Sequence, residues 1–318
     1  MDSVSTGIAK ELIALNKRDF ISSADLTSAQ IKALLELSSQ LKSGNRRIDL
    51  GNRLLGLIFR KASTRTRVSF QVSMARLGGQ VIDLSVQSSQ IGRGEPVKDT
   101  GRVLRKYCDA LAIRTYGHKE LIEYATWSSV PVINALTDLE HPCQALADFL
   151  TLKEVFGAVE GLTLAYVGDG NNVAHSLMIS GALLGVNIHI ASPKGFEPIP
   201  SVLEKARSLA VRGASIEISN DPYESVRGAN AIYTDVWASM GQEEEKLNRE
   251  MAFKNFTVDS ALMSEADNEA IVLHCLPAHR GEEISDEVLE SSKSRIFDQA
   301  ENRLHAQQAL LAALLGGL

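Results

Sequence analysis

Cysteine is scarce in this sequence, with three residues (Cys108, Cys143 and Cys275) in a chain of 318. An odd and sparse count does not fit the paired disulfide framework of a secreted domain, and a reducing cytosol is the expected compartment. No apolar run approaches the roughly 18–20 residues of a membrane-spanning helix. Residues 1–20 hold no apolar segment of secretory type. Basic residues are not in excess: 33 Lys and Arg against 39 Asp and Glu leave a net charge of −6. That balance provides no general basic face for nucleic acid, so any anion site must concentrate positive charge locally. Internal repeats, low-complexity tracts and the Gly-rich GK[ST] loop of a Walker nucleotide site are also missing.

What is present is a globular composition, 44% hydrophobic and 23% charged, at a length that fits about two domains. Short apolar runs alternate with helical patterns. Leu54–Phe59 reads as a buried strand; Val68, Val72, Ala75 and Phe70, Met74, Leu77 then recur at helical spacing until Gly78-Gly79. Further strands are expected at 81–84, 110–113 and 130–133, with helices near 97–107 and 118–127 between them. A helix over 140–155 carries Pro142 near its first turn, where a missing N–H costs little. A second series of strands follows at 162–167, 187–191, 215–218, 231–234 and 270–274, then an Ala/Leu-rich helix over 300–315. Such alternation predicts an α/β fold: two doubly wound parallel-sheet domains, joined by the helix near 142–155.

The chemistry gathers at strand ends. Ser63-Thr64-Arg65-Thr66-Arg67 lies between a strand and a helix, and with Arg60 and Lys61 it places four cations within eight residues. A helix N-terminus offers free N–H groups and partial positive charge, so hydroxyls and arginines there suit a phosphate. An ordinary capped helix with solvated arginines is the alternative. His141-Pro142-Cys143-Gln144 also opens a helix; its His can donate to a carbonyl oxygen and Gln144 can bond an amide, although a single His is more often structural. Arg114 follows the strand at 110–113 and says little alone.

Gly168-Asp169-Gly170-Asn171-Asn172 follows a strand, yet the third glycine of a dinucleotide fingerprint is replaced by Ala174 and His175. Asn171 and Asn172 suit a carboxylate better than a pyrophosphate. In Asp235-Val236-Trp237-Ala238-Ser239-Met240-Gly241 the acid can pair with an ammonium and Ser239 can bond an amino acid's polar end; a strand followed by a plain turn is the alternative. His274-Cys275-Leu276-Pro277-Ala278-His279 has no CxxC or HxxxH pair elsewhere to complete a zinc site, so no metal is expected. Its thiol, at a strand end, can contact a reacting amine. Open α/β sheets bind ligands outside the C-terminal ends of their strands. An interdomain active-site cleft is therefore predicted, cationic on one side and amino-acid-like on the other, which favours a two-substrate enzyme.

Together Ser-Thr-Arg-Thr-Arg, His-Pro-Cys-Gln, Asp-Val-Trp-Ala-Ser-Met-Gly and His-Cys-Leu-Pro resemble the transcarbamoylase family over essentially the whole chain. The phosphate motif and His-Pro-x-Gln are shared with the aspartate branch of that family, whereas Ser-Met-Gly and His-Cys-Leu-Pro point to ornithine. The resemblance implies transfer of the carbamoyl group of carbamoyl phosphate to the δ-amine of L-ornithine, giving citrulline and phosphate in arginine biosynthesis, with no cofactor. It implies a carbamoyl-phosphate-binding domain at 1–143, rejoined by a returning helix at 300–318, and an ornithine-binding domain at 144–299. Carbamoyl phosphate would be held by Ser63, Thr64, Arg65, Thr66, Arg114, His141, Gln144 and Arg303, with Cys275 and Leu276 at the reacting centre. Ornithine would contact Asn172, Asp235, Ser239 and Met240. Catalysis would rest on Arg114 and His141 at the oxyanion and on Cys275 as proton acceptor or orienting group for the amine. The family's catalytic unit is a trimer, in which the loop Ser88-Ser89-Gln90-Ile91-Gly92 would bring Gln90 to a neighbour's site. A transcarbamoylase for a related amine and a silent binding protein on the same fold are the competing readings.

Overall fold

Parallel strands buried on both faces need near-continuous apolar runs, and most of the inner strands found here have them. The computed structural model describes residues 3–85, 89–238 and 246–318. The chain forms two compact units, the first of residues 1–150 and 302–318, the second of residues 151–301.

In the first unit, helices α1 (Ser3–Ile13) and α2 (Ser28–Lys42) precede β1 (Leu54–Phe59), α3 (Arg65–Arg76) and β2 (Gln80–Ser85). Then come α4 (Val97–Leu104), β3 (Ala110–Arg114), α5 (His118–Ser128), β4 (Val132–Leu136) and α6 (Pro142–Phe156). The strands form one sheet in the order β2-β1-β3-β4, every pair parallel. Ile58, Leu111, Ile113, Leu121, Tyr124 and Val132 build its core on the α4–α5 face. The edge strand β2 is the polar exception, largely exposed.

The second unit runs β5 (Thr163–Val167), α7 (Asn172–Leu184), β6 (Asn187–Ala191), α8 (Pro200–Leu209), β7 (Ile216–Ser219) and α9 (Pro222–Val226). After it follow β8 (Ala231–Thr234), α10 (Lys246–Phe253), α11 (Ser260–Met263), β9 (Ile271–His274) and α12 (Asp286–Leu289), and α13 (Ile296–Leu314) leads back. Its sheet order is β7-β6-β5-β8-β9, again all parallel. The chain leaves the first unit within α6 and returns within α13.

Several expected boundaries move by one to four residues, and the helix expected at 97–107 ends at Leu104. The strand expected at 130–133 is Val132–Leu136, because Pro131 lacks the N–H that a ladder needs and the buried stretch runs on through Asn134 and Ala135. The last helix begins at Ile296 rather than 300. In each sheet the connections reverse direction once: between β1 and β3, and between β5 and β8. A ligand crevice opens at such switch points. The two features also locate every chemical motif singled out above that falls at a reversal: residues 60–66 follow β1, Arg114 ends β3, residues 168–172 follow β5, and Asp235 follows β8.

Candidate active site

At the first switch point, Thr64 occupies the N-cap of α3 but makes no side-chain cap hydrogen bond. By contrast Thr27, Asn171, Asp259 and Ser285 cap their helices. The leading N–H groups of α3 are thus left for another acceptor, which favours the anion reading over an ordinary capped helix. Thr66 is buried, and the Arg303 guanidinium of α13 donates to its hydroxyl. Arg65 is half-buried with its Nε sealed from solvent and unbonded.

Not all of the local cations serve this cradle. Arg60 is paired with Glu120 at 2.6 Å, Arg67 is paired with Asp83 and lies over the Phe59 ring, and Lys61 stands over the Tyr116 ring. Burial and the Arg114 cation lower the Lys61 pKa. The charge count read from residues 60–67 is therefore an overestimate.

His141 immediately precedes α6 and is 4% exposed. Burial holds its pKa well below the ordinary imidazole value of 6.5, and the cations of Arg303 and Arg114 add to the effect. It is a neutral donor or acceptor at pH 7 and not a cation. Gln144, in the first turn of α6, donates from Nε2 to Asp148 Oδ1 at 2.8 Å, while its Oε1 is buried and unbonded. The structure thus gathers Thr66, Arg303, Arg114 and His141, joined by a hydrogen bond and by electrostatic coupling. Ser63 and Thr64 lie in the same turn, at the start of α3. Gln90 is elsewhere, exposed at the start of a short 3₁₀ turn, Gln90–Arg93. Residue 88 of the same loop lies outside the described residues.

The second switch point is built on Asp235, which is 6% exposed. Its carboxylate accepts from Asn171 Nδ2 at 2.8 Å, from the Cys275 thiol at 2.9 Å and from the Val236 N–H at 2.8 Å. All three donors are neutral, so among the described residues the bonded partners solvate the carboxylate's charge without cancelling it, a setting that an ammonium completes. Asn171 is oriented from the other side: its Oδ1 accepts from the N–H groups of Val173 and Ala174 and from the Tyr166 hydroxyl. Burial, with Asp235 and Asp169 behind it, drives the Tyr166 pKa well above its ordinary value, so the phenol remains a donor.

Asn172, expected to contact ornithine, is the first residue of α7. Asn171 beside it is the residue bonded to Asp235. Gly170 is explained by packing: a Cβ there would lie 2.2 Å from Pro198 N, so the glycine admits a crossing loop and not a pyrophosphate. Ser239 and Met240 fall outside the described residues.

Cys275 and Leu276 follow β9. His274 Nδ1 accepts from the Leu276 N–H at 2.8 Å, which leaves the proton on Nε2, 3.0 Å from Glu283 Oε1. That contact steadies Leu276 at φ +59, a conformation costly for a residue with a Cβ. Ligand atoms of Asp235, His274 and Cys275 lie within 4.8 Å of one another, but both imidazole nitrogens are already engaged. Cys143, buried, has its thiol pushed up to about 12 and Cys108 is raised as well; these two are packing residues.

A residue with no local signal, Arg249, completes this region. Arg249 of α10 donates to Asp169 Oδ2 at 2.9 Å and to the Trp237 carbonyl at 2.8 Å, and lies over the Phe196 ring. It ties the loop after β5 to the segment after β8. Trp237 and Phe253 stack at 5.8 Å behind it.

An anion cradle at one reversal and an unneutralised carboxylate at another, on two parallel sheets, define a two-domain α/β group-transfer enzyme. Residues 18–154 match the aspartate/ornithine carbamoyltransferase carbamoyl-P binding domain, and residues 160–314 match the Asp/Orn binding domain of the same family. The chain belongs to the aspartate/ornithine carbamoyltransferase family. It is 69% identical over 318 residues, all of both chains, to an ornithine carbamoyltransferase of Parasynechococcus marenigrum. It is 70% identical over the same full length to one of Prochlorococcus marinus. Among solved structures it is similar to ornithine carbamoyltransferase from Pyrococcus furiosus, with TM-score 0.92 and 47% identity over 96% of this chain and 99% of that one. The Gloeobacter violaceus enzyme gives 0.87 and 55% over 95% and 99%. The chain is a carbamoyltransferase.

Proposed function

We propose that this carbamoyltransferase transfers the carbamoyl group of carbamoyl phosphate to the δ-amine of L-ornithine, yielding citrulline and phosphate. The observation that carries the acceptor is Asp235, a buried carboxylate whose bonded partners are all neutral. The uncapped start of α3 with Arg65, Arg114 and Arg303 supports the phosphate end of the donor. The relatives named above, at 69% and 70% identity, support the same pair of substrates.

The ammonium of ornithine, with a pKa near about 10, must lose a proton before it can attack. Attack on the carbamoyl carbon places charge on its oxygen, for which Thr66, Arg114 and neutral His141 are the donors. The phosphate departs with its charge already matched by Arg65, Arg303 and the α3 N-terminus. Most of the acceleration comes from positioning and fixed charge. A thiol that donates to Asp235 orients that carboxylate and is not itself a base, so Cys275 is an orienting group. Ser239 and Met240 complete the ornithine contacts, and Gln90 serves the site of a neighbouring copy in a trimer, in the cytosol that suits a reduced Cys275 thiol.

An acceptor panel of ornithine, putrescine, N-acetylornithine and aspartate tests the assignment. Ornithine is expected to be carbamoylated fastest; a preference for any other acceptor overturns it. Sedimentation of the purified chain at the mass of three copies is the expected result for assembly.

A further inference from the structure

Glu120 has no part in the roles above. It sits in the first turn of α5 with its side chain 22% exposed. One carboxylate oxygen stands 2.6 Å from Arg60 Nε, on the residue that follows β1. The other accepts from the hydroxyl of Thr115, a buried residue that follows Arg114 at the end of β3. The Arg60 N–H also donates to the Arg114 carbonyl at 2.8 Å. One carboxylate therefore spans both strand ends that flank the switch point of the first sheet. One turn along α5, the buried Tyr124 hydroxyl is pushed up to about 12 by burial and by the Glu120 charge.

We propose that Glu120 is a positioning residue for carbamoyl phosphate, tying the segment after β1 to the segment after β3 so that Arg114 is held against Ser63, Thr64, Arg65 and Thr66. The inference rests on the carbamoyl phosphate reading of that site. An ion pair and a charge-assisted hydrogen bond to a half-buried carboxylate are stronger and less screened than surface pairs. Glu120 also keeps the Arg60 charge paired on α5, which leaves Arg65, Arg114 and Arg303 as the cations that meet the donor. A neutral side chain at 120 removes the tie to Arg60 and loosens two segments that each carry donor contacts.

Steady-state kinetics on the full chain test this, with Glu120→Gln, Arg60→Gln and the double variant. The readouts are KM for carbamoyl phosphate, KM for ornithine and competitive inhibition by inorganic phosphate. Each single variant is expected to raise the donor KM and the phosphate inhibition constant about tenfold, with the ornithine KM within about twofold. The double variant is expected to be no worse than either single one, because the two residues act as one unit. A donor KM that does not move, or losses that multiply in the double variant, overturns the proposal. If a single variant folds poorly, the inverted pair, Arg60→Glu with Glu120→Arg, is measured instead; recovery of donor binding supports the tie and its absence overturns it. Arg65→Gly is the control. If it loses donor binding while Glu120→Gln does not, only the positioning role fails; if both retain it, the donor site itself is misassigned.

Discussion

Arg303 and Thr66 are 237 residues apart in the chain, and the Arg303 guanidinium donates to the Thr66 hydroxyl. Arg303 is 3% exposed and Thr66 1%, so the contact is buried and holds a cation over the first turn of α3. The same cation, with Arg114, helps keep His141 neutral. Helix α13 thereby contributes chemistry as well as packing to the first unit.

Arg65→Gly removes a guanidinium from the first position of α3. Loss of a fixed group aimed at developing charge costs about 10²–10³ in rate, and a drop of that size in kcat/KM for carbamoyl phosphate is expected. Circular dichroism should be unchanged, since Arg65 contributes no core packing. Near-normal citrulline formation by the variant refutes the phosphate assignment.

The strands were readable because parallel strands are continuous apolar runs, and β1, β6 and β8 match their expected bounds. Their C-terminal ends then located Arg114, Asp235 and Cys275 without tertiary information. What the sequence hid was pairing. Glu120 meets Arg60 across two helices and two strands, and Arg249 meets Asp169 from 80 residues away; no local period marks either partner. That Asn171 is the residue bonded to Asp235 was equally hidden, because it depends on which of two adjacent amides caps the helix. Overcounting the cations at 60–67 had the same cause, since Glu120 and Asp83 are remote in sequence.

Asp235→Asn keeps the shape of the second site and removes its charge. Truncating one partner of a buried charge pair costs about 2–5 kcal/mol, so the KM for ornithine should rise at least about 30-fold. Cys275→Ala removes one donor to that carboxylate, worth about 0.5–1.5 kcal/mol, and should weaken ornithine use far more than carbamoyl phosphate binding. Isothermal titration with each substrate separates the two. If Cys275→Ala abolishes donor binding, the two half-sites are wrongly divided.

His141 makes stability depend on pH in one direction. Its folded-state pKa is lowered well below 6.5, so as pH falls through about 6.5 the unfolded chain takes up a proton that the folded chain refuses. Stability contributed by the neutral imidazole is present above that pH and declines below it, until the lowered folded value is reached. Thermal melts of the wild type and His141→Gln between pH 8 and pH 5 should show the wild type losing more. Parallel curves contradict the burial argument.

Arg249 and Asp169 form a pair with side chains 8% and 11% exposed. Removing one member of a buried pair costs about 3–5 kcal/mol. Arg249→Met should therefore lower the melting temperature by roughly 6–20 °C, and the double variant with Asp169→Asn should recover part of the loss. A melt unchanged by Arg249→Met shows that the pair is no anchor for the Trp237 segment.

The return of the chain through α13 also sets an order of assembly during synthesis. When the first 150 residues have emerged, the cradle on α3 already has Arg65, Arg114 and His141. It lacks Arg303, which is translated only after the whole second unit. Arg303 is thus the last of these four side chains to be made, and the cradle is complete only once the second unit has been synthesised.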